Sequence, residues 1–578
     1  MCGFCGFILG KSKIDRSQSK KNIFEMNNAL SHRGPDDEGY EILEEEGIYL
    51  GHKRLSIIDL NNRNKQPFID KKNQLSLIFN GEIYNYLELK DELVQAGYKF
   101  KTKSDTEVLL FSFIHWKEKC LKKLEGMFAF CVYDISRKTI FVARDRFGIK
   151  PIFYYKDDNR FVVSSEKKSM FELNIEKKLN VEAMSNFILR GVYQNDKNTF
   201  FKKIYSLEPG KYLKIENKKF EIQKWFELEV KKEKIDYEDA KIKLDHLIKK
   251  SLRLSLRSDK NIAVSVSGGV DSSTLIYKLI ETGDDNKIKY LVHWTCNDEN
   301  DEKKFAKKLA KKFKKKLLIS NFRKKDYFSY LKKVLNIIEE PFGGLSLMSS
   351  LKTFENLKQK KIRVLLDGNG IDEILGGYNH HISAHKKNFL DYRNQPVQGL
   401  KINFPQDILK KKWLDNLPNF KIQKRFSNPL KDSMYNDLTG SKLRRVLLQG
   451  DHLTMSQSIE TRYPFLNNEL VSFCFSLPNK YLIKNDYGKY VLRDLLNEKI
   501  FWDHKRPNQD PQTKWMHEFV LDRFVKELEK EEDFFDLGIF DKYHLLRRLK
   551  QWKSNKTGNS AFPMYMLLGF KFIKKNFT

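Results

Sequence analysis

The chain has 578 residues, a formal net charge of +31 at pH 7 and six cysteines. This length is too great for a single hydrophobic core and predicts at least two domains. Six scattered cysteines exclude a disulfide framework and, with no signal peptide at the start, indicate a reducing cytoplasm. No apolar run approaches the roughly 18 residues of a membrane-spanning helix, so we expect no membrane partner.

The positive charge is spread along the chain rather than gathered in one basic patch. Between residues 303 and 313, for example, lysine pairs alternate with Phe305, Leu309 and Phe313 at helical spacing. That pattern is typical of an amphipathic helix with a solvent-exposed charged face. We therefore expect no specific nucleic-acid ligand, although weak binding to polyanions at low salt follows from the charge alone.

Cys2 directly follows the initiator methionine. Removal of Met1 would leave Cys2 with a thiol and a free α-amine of pKa about 8, which could act as the base for its own nucleophile. The alternative is that Cys2 and Cys5 form a redox or metal-binding pair. That alternative is weaker, because residues 7–9 are typical of a strand and no second cysteine pair is present.

Residues 1–225 are rich in short strands and contain few helices. Helices are predicted near residues 20–30, 87–96 and 106–117, and strands at residues 75–79, 128–133, 139–143 and 161–163, with a final hairpin at residues 211–225. This mixture predicts an α+β layered domain. The charged stretch at residues 227–235 is interpreted as a linker.

From residue 236 onward the period of the apolar residues changes. An amphipathic helix at about residues 240–254 precedes a buried strand at 261–266, a glycine-rich loop and a second helix. Further strands are predicted at residues 288–294 and 362–366, and the chain beyond about residue 380 is predicted to be mostly helical. This order predicts a doubly wound α/β domain with a helical extension over residues 236–578.

The glycine-rich loop has the sequence Ser-Gly-Gly-Val-Asp-Ser-Ser at residues 267–273. Glycines let the backbone approach an anion, N–H groups at a helix start point at it, and hydroxyls add donors. Asp271 offers a hard oxygen ligand for Mg²⁺. The alternative is an ordinary turn, and a Walker loop is excluded because its Gly-Lys-Ser/Thr ending is missing. The ATP-binding residues predicted in this loop are Ser267, Gly268, Gly269, Asp271, Ser272 and Ser273.

A second glycine cluster at residues 366–378 also follows a strand. Loops after parallel strands converge at the carboxyl edge of a doubly wound sheet. Asp372 is therefore predicted to share Mg²⁺ with Asp271, and Glu373 to face the reacting centre. The alternative is that this Asp-Glu pair only complements the dipole of the helix that it begins.

Several motifs, in order along the chain, together resemble a known family. The N-terminal half resembles the class II glutamine amidotransferases, whose Ntn fold is an αββα sandwich. The C-terminal half resembles the synthetase domain of glutamine-hydrolysing asparagine synthetases, with its ATP-pyrophosphatase-type loop. The motifs are the two glycine loops, Cys-Gly at 2–3, Ser-His-Arg-Gly-Pro-Asp at 31–36, Leu-Gly-His-Lys-Arg-Leu-Ser-Ile-Ile-Asp at 50–59, Phe-Asn-Gly-Glu-Ile-Tyr-Asn at 79–85, Ser-Asp-Thr-Glu at 104–107, Arg-Asp-Arg-Phe-Gly-Ile-Lys-Pro at 144–151 and Ser-Ile-Glu-Thr-Arg-Tyr-Pro-Phe-Leu at 458–466.

For the nucleophile, the resemblance implies that Cys2 attacks the side-chain amide of glutamine to form a thioester. The Asn80 side-chain amide and the Gly81 N–H would form the oxyanion hole. The local alternative is that Asn80-Gly81 is only a hairpin turn.

For substrate binding, the resemblance implies that Arg54 clamps the α-carboxylate of glutamine, a planar group that arginine suits. Asp105 and Glu82 would hold the α-ammonium. The local alternative is an ion pair between Arg54 and Asp59.

For the second half, the resemblance implies that the β-carboxylate of aspartate attacks the α-phosphorus of ATP, giving β-aspartyl-AMP and pyrophosphate. Ammonia would cross an internal tunnel and displace AMP. Mg²⁺ on Asp271 and Asp372 would offset charge, and Glu373 would serve formation of the intermediate. Lys489 would lie near the phosphates, its alternative being a helix-surface lysine, and the family often forms homodimers. The other residues assigned to ATP are Val266, His293, Asp367 and Gly368.

The acceptor stays open, because some positions depart from the usual family pattern without removing a catalytic group. One alternative is an amidotransferase for another carboxylate, such as a uronic acid of a polysaccharide. Another, of a different class, is a basic RNA-binding or RNA-modifying protein. The departures are Cys5, His293-Trp294, residues 343–346, Asp367, Asn467 and residues 505–508.

Overall fold

The computed structural model describes residues 2–9, 15–193, 195–217, 219–231, 234–297, 301–387, 406–415, 423–498, 512–555 and 561–577, so the departure at residues 505–508 lies outside the described part. The first half contains β1 (Gly3–Leu9), α1 (Arg16–Asn28), β2 (Asp37–Leu43), β3 (Ile48–Arg54), β4 (Phe68–Asp70), β5 (Leu75–Ile83), α2 (Tyr86–Gln95), α3 (Asp105–Trp116), α4 (Cys120–Lys123), β6 (Gly126–Asp134), β7 (Thr139–Arg144), β8 (Phe153–Lys156), β9 (Arg160–Ser164), α5 (Lys167–Phe171), α6 (Val181–Arg190), β10 (Ile204–Ser206), β11 (Lys211–Glu216) and β12 (Lys219–Lys224).

The second half is mostly helical around one sheet. Its elements are α7 (Tyr237–Ser255), β13 (Ile262–Ser265), α8 (Val270–Glu281), β14 (Ile288–Thr295), α9 (Lys303–Lys312), β15 (Lys316–Asn321), α10 (Tyr327–Ile338), α11 (Leu345–Gln359), β16 (Val364–Leu366), α12 (Ile371–Leu375), α13 (Asn379–Lys387), α14 (Lys411–Asp415), α15 (Pro429–Thr439), α16 (Ser441–Met455), β17 (Glu460–Arg462), α17 (Asn468–Ser476), α18 (Asn479–Leu482), β18 (Ile483–Lys484), β19 (Tyr487–Gly488), α19 (Tyr490–Leu496), α20 (Gln512–Trp515), α21 (Leu521–Lys530), α22 (Lys542–Asn555) and α23 (Ala561–Phe577).

Two six-stranded antiparallel sheets lie face to face in the first half, in the orders β10-β8-β9-β1-β3-β2 and β12-β11-β7-β6-β5-β4. Strand β1 shows why they stack. Its side chains alternate between the two faces of the sheet, so Phe4 packs into the core between the sheets while Cys5 and Phe7 pack on the other side. Helix α1 covers β1 and β3, and α3 covers β5. The predicted αββα sandwich is confirmed.

The second half contains a parallel sheet in the order β15-β14-β13-β16-β17. Apolar residues of β13 point to both faces: Ile262 and Val264 pack in one core and Ala263 in another. A parallel strand buried on both faces is what a doubly wound sheet requires. The chain runs outward from β13 to β15 and then returns to β16, so the topological switch point lies between β13 and β16.

The two halves share hydrophobic cores. Leu55, Phe147 and Ile149 of the first half pack in the same cluster as Leu244 and Val264 of the second. Among the described residues, every helix is too short or too polar to cross a lipid bilayer.

Candidate active sites in the two halves

Cys2 immediately precedes β1, which pairs with β3, and its backbone contacts Asn80 of β5. Its backbone N–H donates to Asn80 Oδ1 at 3.2 Å. The Nδ2 of the same Asn80 amide is buried and has no hydrogen-bond partner among the described residues. A buried donor without an acceptor is costly, which marks this amide as a candidate for an anionic ligand next to the thiol.

Gly81 follows Asn80, and the structure leaves no room for a side chain at this position. Its φ is +154°, and a Cβ on this residue would lie 2.1 Å from the carbonyl oxygen of Met127. Asn80-Gly81 lies inside β5 and pairs with Ala129 and Phe128 of β6, so it is not a hairpin turn.

The Cys2 thiol is almost fully buried. Burial raises its pKa, and the Leu55 N–H and the Arg54 guanidinium act in the opposite direction. Because Met1 precedes Cys2 in the sequence, the Cys2 nitrogen is an amide until that methionine is removed. Cys5 is also buried as a free thiol, which is the behaviour of a small core residue.

A small cavity opens beside Cys2, lined among others by Arg54, Glu82 and Asp105. The Arg54 guanidinium donates to the backbone oxygens of Asp59 (2.6 Å) and Asn61 (3.2 Å). No carboxylate within the described residues lies within 4.0 Å of it, so the alternative ion pair with the Asp59 carboxylate does not form. Arg54 thus keeps its charge available to a ligand.

Asp105 begins α3, and its Oδ2 accepts a hydrogen bond from the Ile83 N–H at 3.0 Å. Burial raises the pKa of Asp105 to about 6. The Oε2 of Glu82 accepts a hydrogen bond from Arg462 of the second half at 3.2 Å. Its Oε1 is buried with no hydrogen-bond partner in the described part of the chain.

Arg33 is a site residue that sequence reasoning missed. It is fully buried behind Cys2, with Nε donating to the Cys2 carbonyl oxygen at 3.0 Å. Nη1 donates to Glu166 at 2.6 Å and Nη2 to Asp451 of the second half at 2.8 Å. The resemblance motif at residues 31–36 contained Arg33, but its partners lie too far along the chain to be inferred.

The predicted phosphate loop connects β13 to α8. Gly268 has φ +86°, which favours glycine, and a Cβ there would lie 2.4 Å from Phe305 Cβ. The Ser272 hydroxyl accepts from the Ser267 N–H at 2.9 Å, which closes the turn. Ser273 Oγ is buried and without a hydrogen-bond partner among the described residues.

Asp271 and Asp372 converge on one lysine. Lys489 Nζ lies 2.7 Å from a carboxylate oxygen of each. The two loops approach closely, since a Cβ on Gly368 would lie 3.5 Å from the backbone of Asp271. Although burial disfavours the charge of Lys489, the two carboxylates raise its pKa above its ordinary value. The helix-surface alternative for Lys489 is excluded, because this residue is 7 % exposed.

Glu373 is buried at the start of α12 and accepts a hydrogen bond from the Tyr378 hydroxyl at 2.7 Å. Burial, with Asp372 beside it, raises the pKa of Glu373 to about 7. A carboxyl group with such a pKa can exchange a proton near neutral pH.

The remaining predicted ATP residues lie around the same switch point. His293 Nδ1 contacts the Val266 carbonyl oxygen at 2.9 Å, and its Nε2 has no hydrogen-bond partner in the described part of the chain. The Asp367 carboxylate accepts from the Asn369 N–H at 3.0 Å. Val266 follows β13, Asp367 and Gly368 follow β16, and His293 lies near the end of β14, so all four lie at the carboxyl edge of the sheet.

Residues 1–226 match the glutamine amidotransferase domain family, and residues 243–572 match the asparagine synthase family. A Methanocaldococcus jannaschii protein named putative asparagine synthetase (glutamine-hydrolyzing) 2 is 32 % identical over 489 residues, covering 78 % of this chain and 92 % of that protein. Asparagine synthetase (glutamine-hydrolyzing) 1 of Bacillus subtilis is 28 % identical over 85 % of this chain and 84 % of its own length. Asparagine synthetase (glutamine-hydrolyzing) 3 of the same organism is 29 % identical over 88 % of this chain and 86 % of its own length.

These matches cover both halves and favour amidotransferase chemistry over the RNA-binding alternative. The chain therefore belongs to the asparagine synthase family and is a glutamine-hydrolysing ligase that uses ATP for amidation.

Proposed function

We propose that the acceptor is L-aspartate and the product L-asparagine, with glutamate, AMP and pyrophosphate formed alongside. Glutamine hydrolysis is assigned to residues 1–225 and synthesis to residues 236–578. The observation that carries the proposal is the convergence of Asp271 and Asp372 on Lys489 at the switch point of the second sheet, with Glu373 next to it. That arrangement suits transfer of an adenylyl group to a carboxylate.

In the first half, the Cys2 thiolate attacks the side-chain amide carbon of glutamine. The oxygen of the tetrahedral intermediate takes the hydrogen bond that Asn80 Nδ2 lacks, together with the Gly81 N–H. Arg54 pairs with the α-carboxylate of the substrate, and Asp105 and Glu82 pair with its α-ammonium. With Met1 removed, the Cys2 α-amine takes the thiol proton and returns it to the leaving nitrogen, so that ammonia departs. Water then hydrolyses the thioester to glutamate.

In the second half, the loop at residues 267–273 binds the phosphates of ATP, and the β-carboxylate of aspartate attacks the α-phosphorus. Pyrophosphate leaves and β-aspartyl-AMP forms. Lys489 lies where it can balance the negative charge of the leaving group. Ammonia from the first half then displaces AMP, and Glu373 can accept a proton from the attacking ammonia.

Mg²⁺ fits the residues present. Asp271 and Asp372 supply the hard carboxylate oxygens that Mg²⁺ prefers. Lys489 Nζ lies 2.7 Å from an oxygen of each, so the ion would bind these carboxylates in exchange for that ammonium. When bound, the ion would neutralise charge on the phosphate oxygens. His293, Asp367 and Gly368 are retained as proposed ATP contacts.

The test is release of AMP and pyrophosphate from ATP with glutamine present, with and without L-aspartate. Aspartate-dependent AMP in a 1:1 ratio with asparagine is expected. Glutamate release without aspartate-dependent AMP would reject aspartate and direct the search to other carboxylates, such as uronic acids.

A further inference from the structure

In the part of the chain that the structure describes, one buried lysine close to Glu373 has no ion-pair partner. Lys442 lies in the first turn of α16 and is 7 % exposed. Its Nζ lies 3.0 Å from the centroid of the Tyr378 ring, whose hydroxyl donates to Glu373. Within the described residues, no carboxylate lies within 4.0 Å of this Nζ and no acceptor forms a hydrogen bond with it.

Each of the acidic residues nearest Lys442 forms a hydrogen bond or an ion pair with another residue. They are Asp372, which pairs with Lys489 at 2.7 Å, Glu373, which accepts from Tyr378 at 2.7 Å, and Asp437, which contacts His380 Nε2 at 2.6 Å and His381 Nε2 at 2.8 Å. Their combined field does not compensate for burial, which lowers the pKa of Lys442. The described residues therefore give the ammonium no direct counter-charge.

Such an arrangement is unfavourable unless a ligand completes it. Removing a charge from water without a partner is costly, and a cation–π contact alone offsets only part of that cost. A second buried lysine shows the ordinary solution: Lys431 Nζ donates to the carbonyl oxygen of Cys474 at 3.3 Å. The contrast favours a bound anion, because the described residues supply none to Lys442.

We propose that Lys442 binds a carboxylate of the acceptor other than the one that reacts, so that the acceptor carries two carboxylates. This inference rests on the proposed function, because it places the acceptor beside Glu373. Aspartate meets the requirement, since its β-carboxylate reacts and its α-carboxylate remains for Lys442. A uronic acid has one carboxylate and would leave Lys442 unpaired.

The test compares L-aspartate with β-alanine, which has the reacting carboxylate and the amine but lacks the α-carboxylate. AMP formation is measured with ammonia as nitrogen donor, so that the first half does not contribute. The wild type should prefer aspartate in kcat/KM by about tenfold or more, the size expected of a hydrogen bond between charged groups. In Lys442→Met this preference should fall to about threefold or less, with the KM for ATP unchanged.

Two further variants test whether the change in aspartate preference is specific to Lys442. Lys431→Met removes a different buried lysine and should leave the aspartate preference intact, whereas Lys442→Arg should restore part of it. Lys442→Met should also have a Tm equal to or above that of the wild type, because an unpaired buried charge has been removed. An unchanged preference in Lys442→Met, or a raised KM for ATP with the preference retained, would overturn the inference.

Failure of the proposed function is separable from failure of the inference. If the wild type forms no AMP with aspartate, thermal unfolding in succinate, malonate and L-glutamate still tests Lys442. At least one of these dicarboxylates should raise the Tm of the wild type and not that of Lys442→Met. Equal stabilisation of both proteins, or stabilisation of neither by any of the three, would overturn the inference.

Discussion

The Glu82 carboxylate lies 3.2 Å from the Arg462 guanidinium, and this contact joins the pocket of the first half to the sheet of the second. Arg462 also donates to Glu460 at 2.5 Å and to the backbone oxygens of Ser255 and Arg257. The three charged side chains are buried, and both carboxylates share the Arg462 cation.

Arg462→Met should destabilise the protein by about 3–5 kcal/mol, because it leaves two buried carboxylates without their counter-charge. The measurement is thermal unfolding of the full chain. Lys250→Met is the matched control: Lys250 pairs with Glu469 at 2.5 Å, but both side chains are about half exposed. Its effect should stay within about 1 kcal/mol. Equal Tm losses in the two variants would contradict the dependence on burial.

Cys2→Ala should abolish glutamine-driven synthesis and leave ammonia-driven synthesis within about twofold of wild type, since only the first half loses its nucleophile. Product formation with each nitrogen donor checks this. Cys5→Ala is the control, because Cys5 is a buried core thiol and should keep glutamine-driven activity. Loss of both activities in Cys2→Ala would argue against two separate sites.

Asn80→Ala should lower kcat for glutamine hydrolysis by about 10²–10³-fold, the usual effect of losing one oxyanion-hole donor. The KM for glutamine should change little, because the donor acts on charge that develops only in the transition state. Steady-state glutamate release measures both constants. A change confined to KM would show that Asn80 binds the substrate and does not stabilise the intermediate.

Glutamine hydrolysis should depend on pH through Asp105, whose pKa is raised to about 6. Below that pH the carboxyl is protonated and cannot pair with the α-ammonium, so kcat/KM should fall about tenfold per pH unit. A carboxyl with a raised pKa in the folded state gains stability on acidification, so this loss would not come from unfolding through Asp105. A pH series of glutamate release tests it, and Asp105→Asn should be weakly active with no such limb.

Asp372→Asn should stop AMP formation with either nitrogen donor while glutamine hydrolysis continues, since one of the two converging carboxylates is lost. AMP and glutamate are measured in the same reaction. Glutamate release then serves as the internal control for folding. Unchanged AMP release would remove Asp372 from the proposed ion site.

Short-range patterns in the sequence were sufficient to predict much of the fold. Apolar periodicity predicted α7, and the final hairpin was recovered as β11 and β12. The approach of Asp271 to Asp372 followed from one topological rule, that loops after neighbouring parallel strands meet.

Buried ion pairs between residues that are far apart in the sequence could not be predicted. Strand β17 is Glu460-Thr461-Arg462, with no apolar residue, yet all three are buried because the charges are paired. Hydropathy patterns do not detect such a strand. Likewise, the sequence around Arg33 does not indicate that this residue pairs with Asp451. The burial of Lys442 was not predicted either, because a lysine in an amphipathic helix is ordinarily solvent-exposed.

Lys489 holds the two carboxylates of the second site in place before any substrate binds. Asp271 and Asp372, in the first turns of α8 and α12, carry like charges that would repel each other, and an arriving cation would otherwise have to draw them together. Since the chain itself holds both carboxylates on one ammonium, this reorganisation is completed during folding. More of the binding free energy of ATP can then act on the transition state.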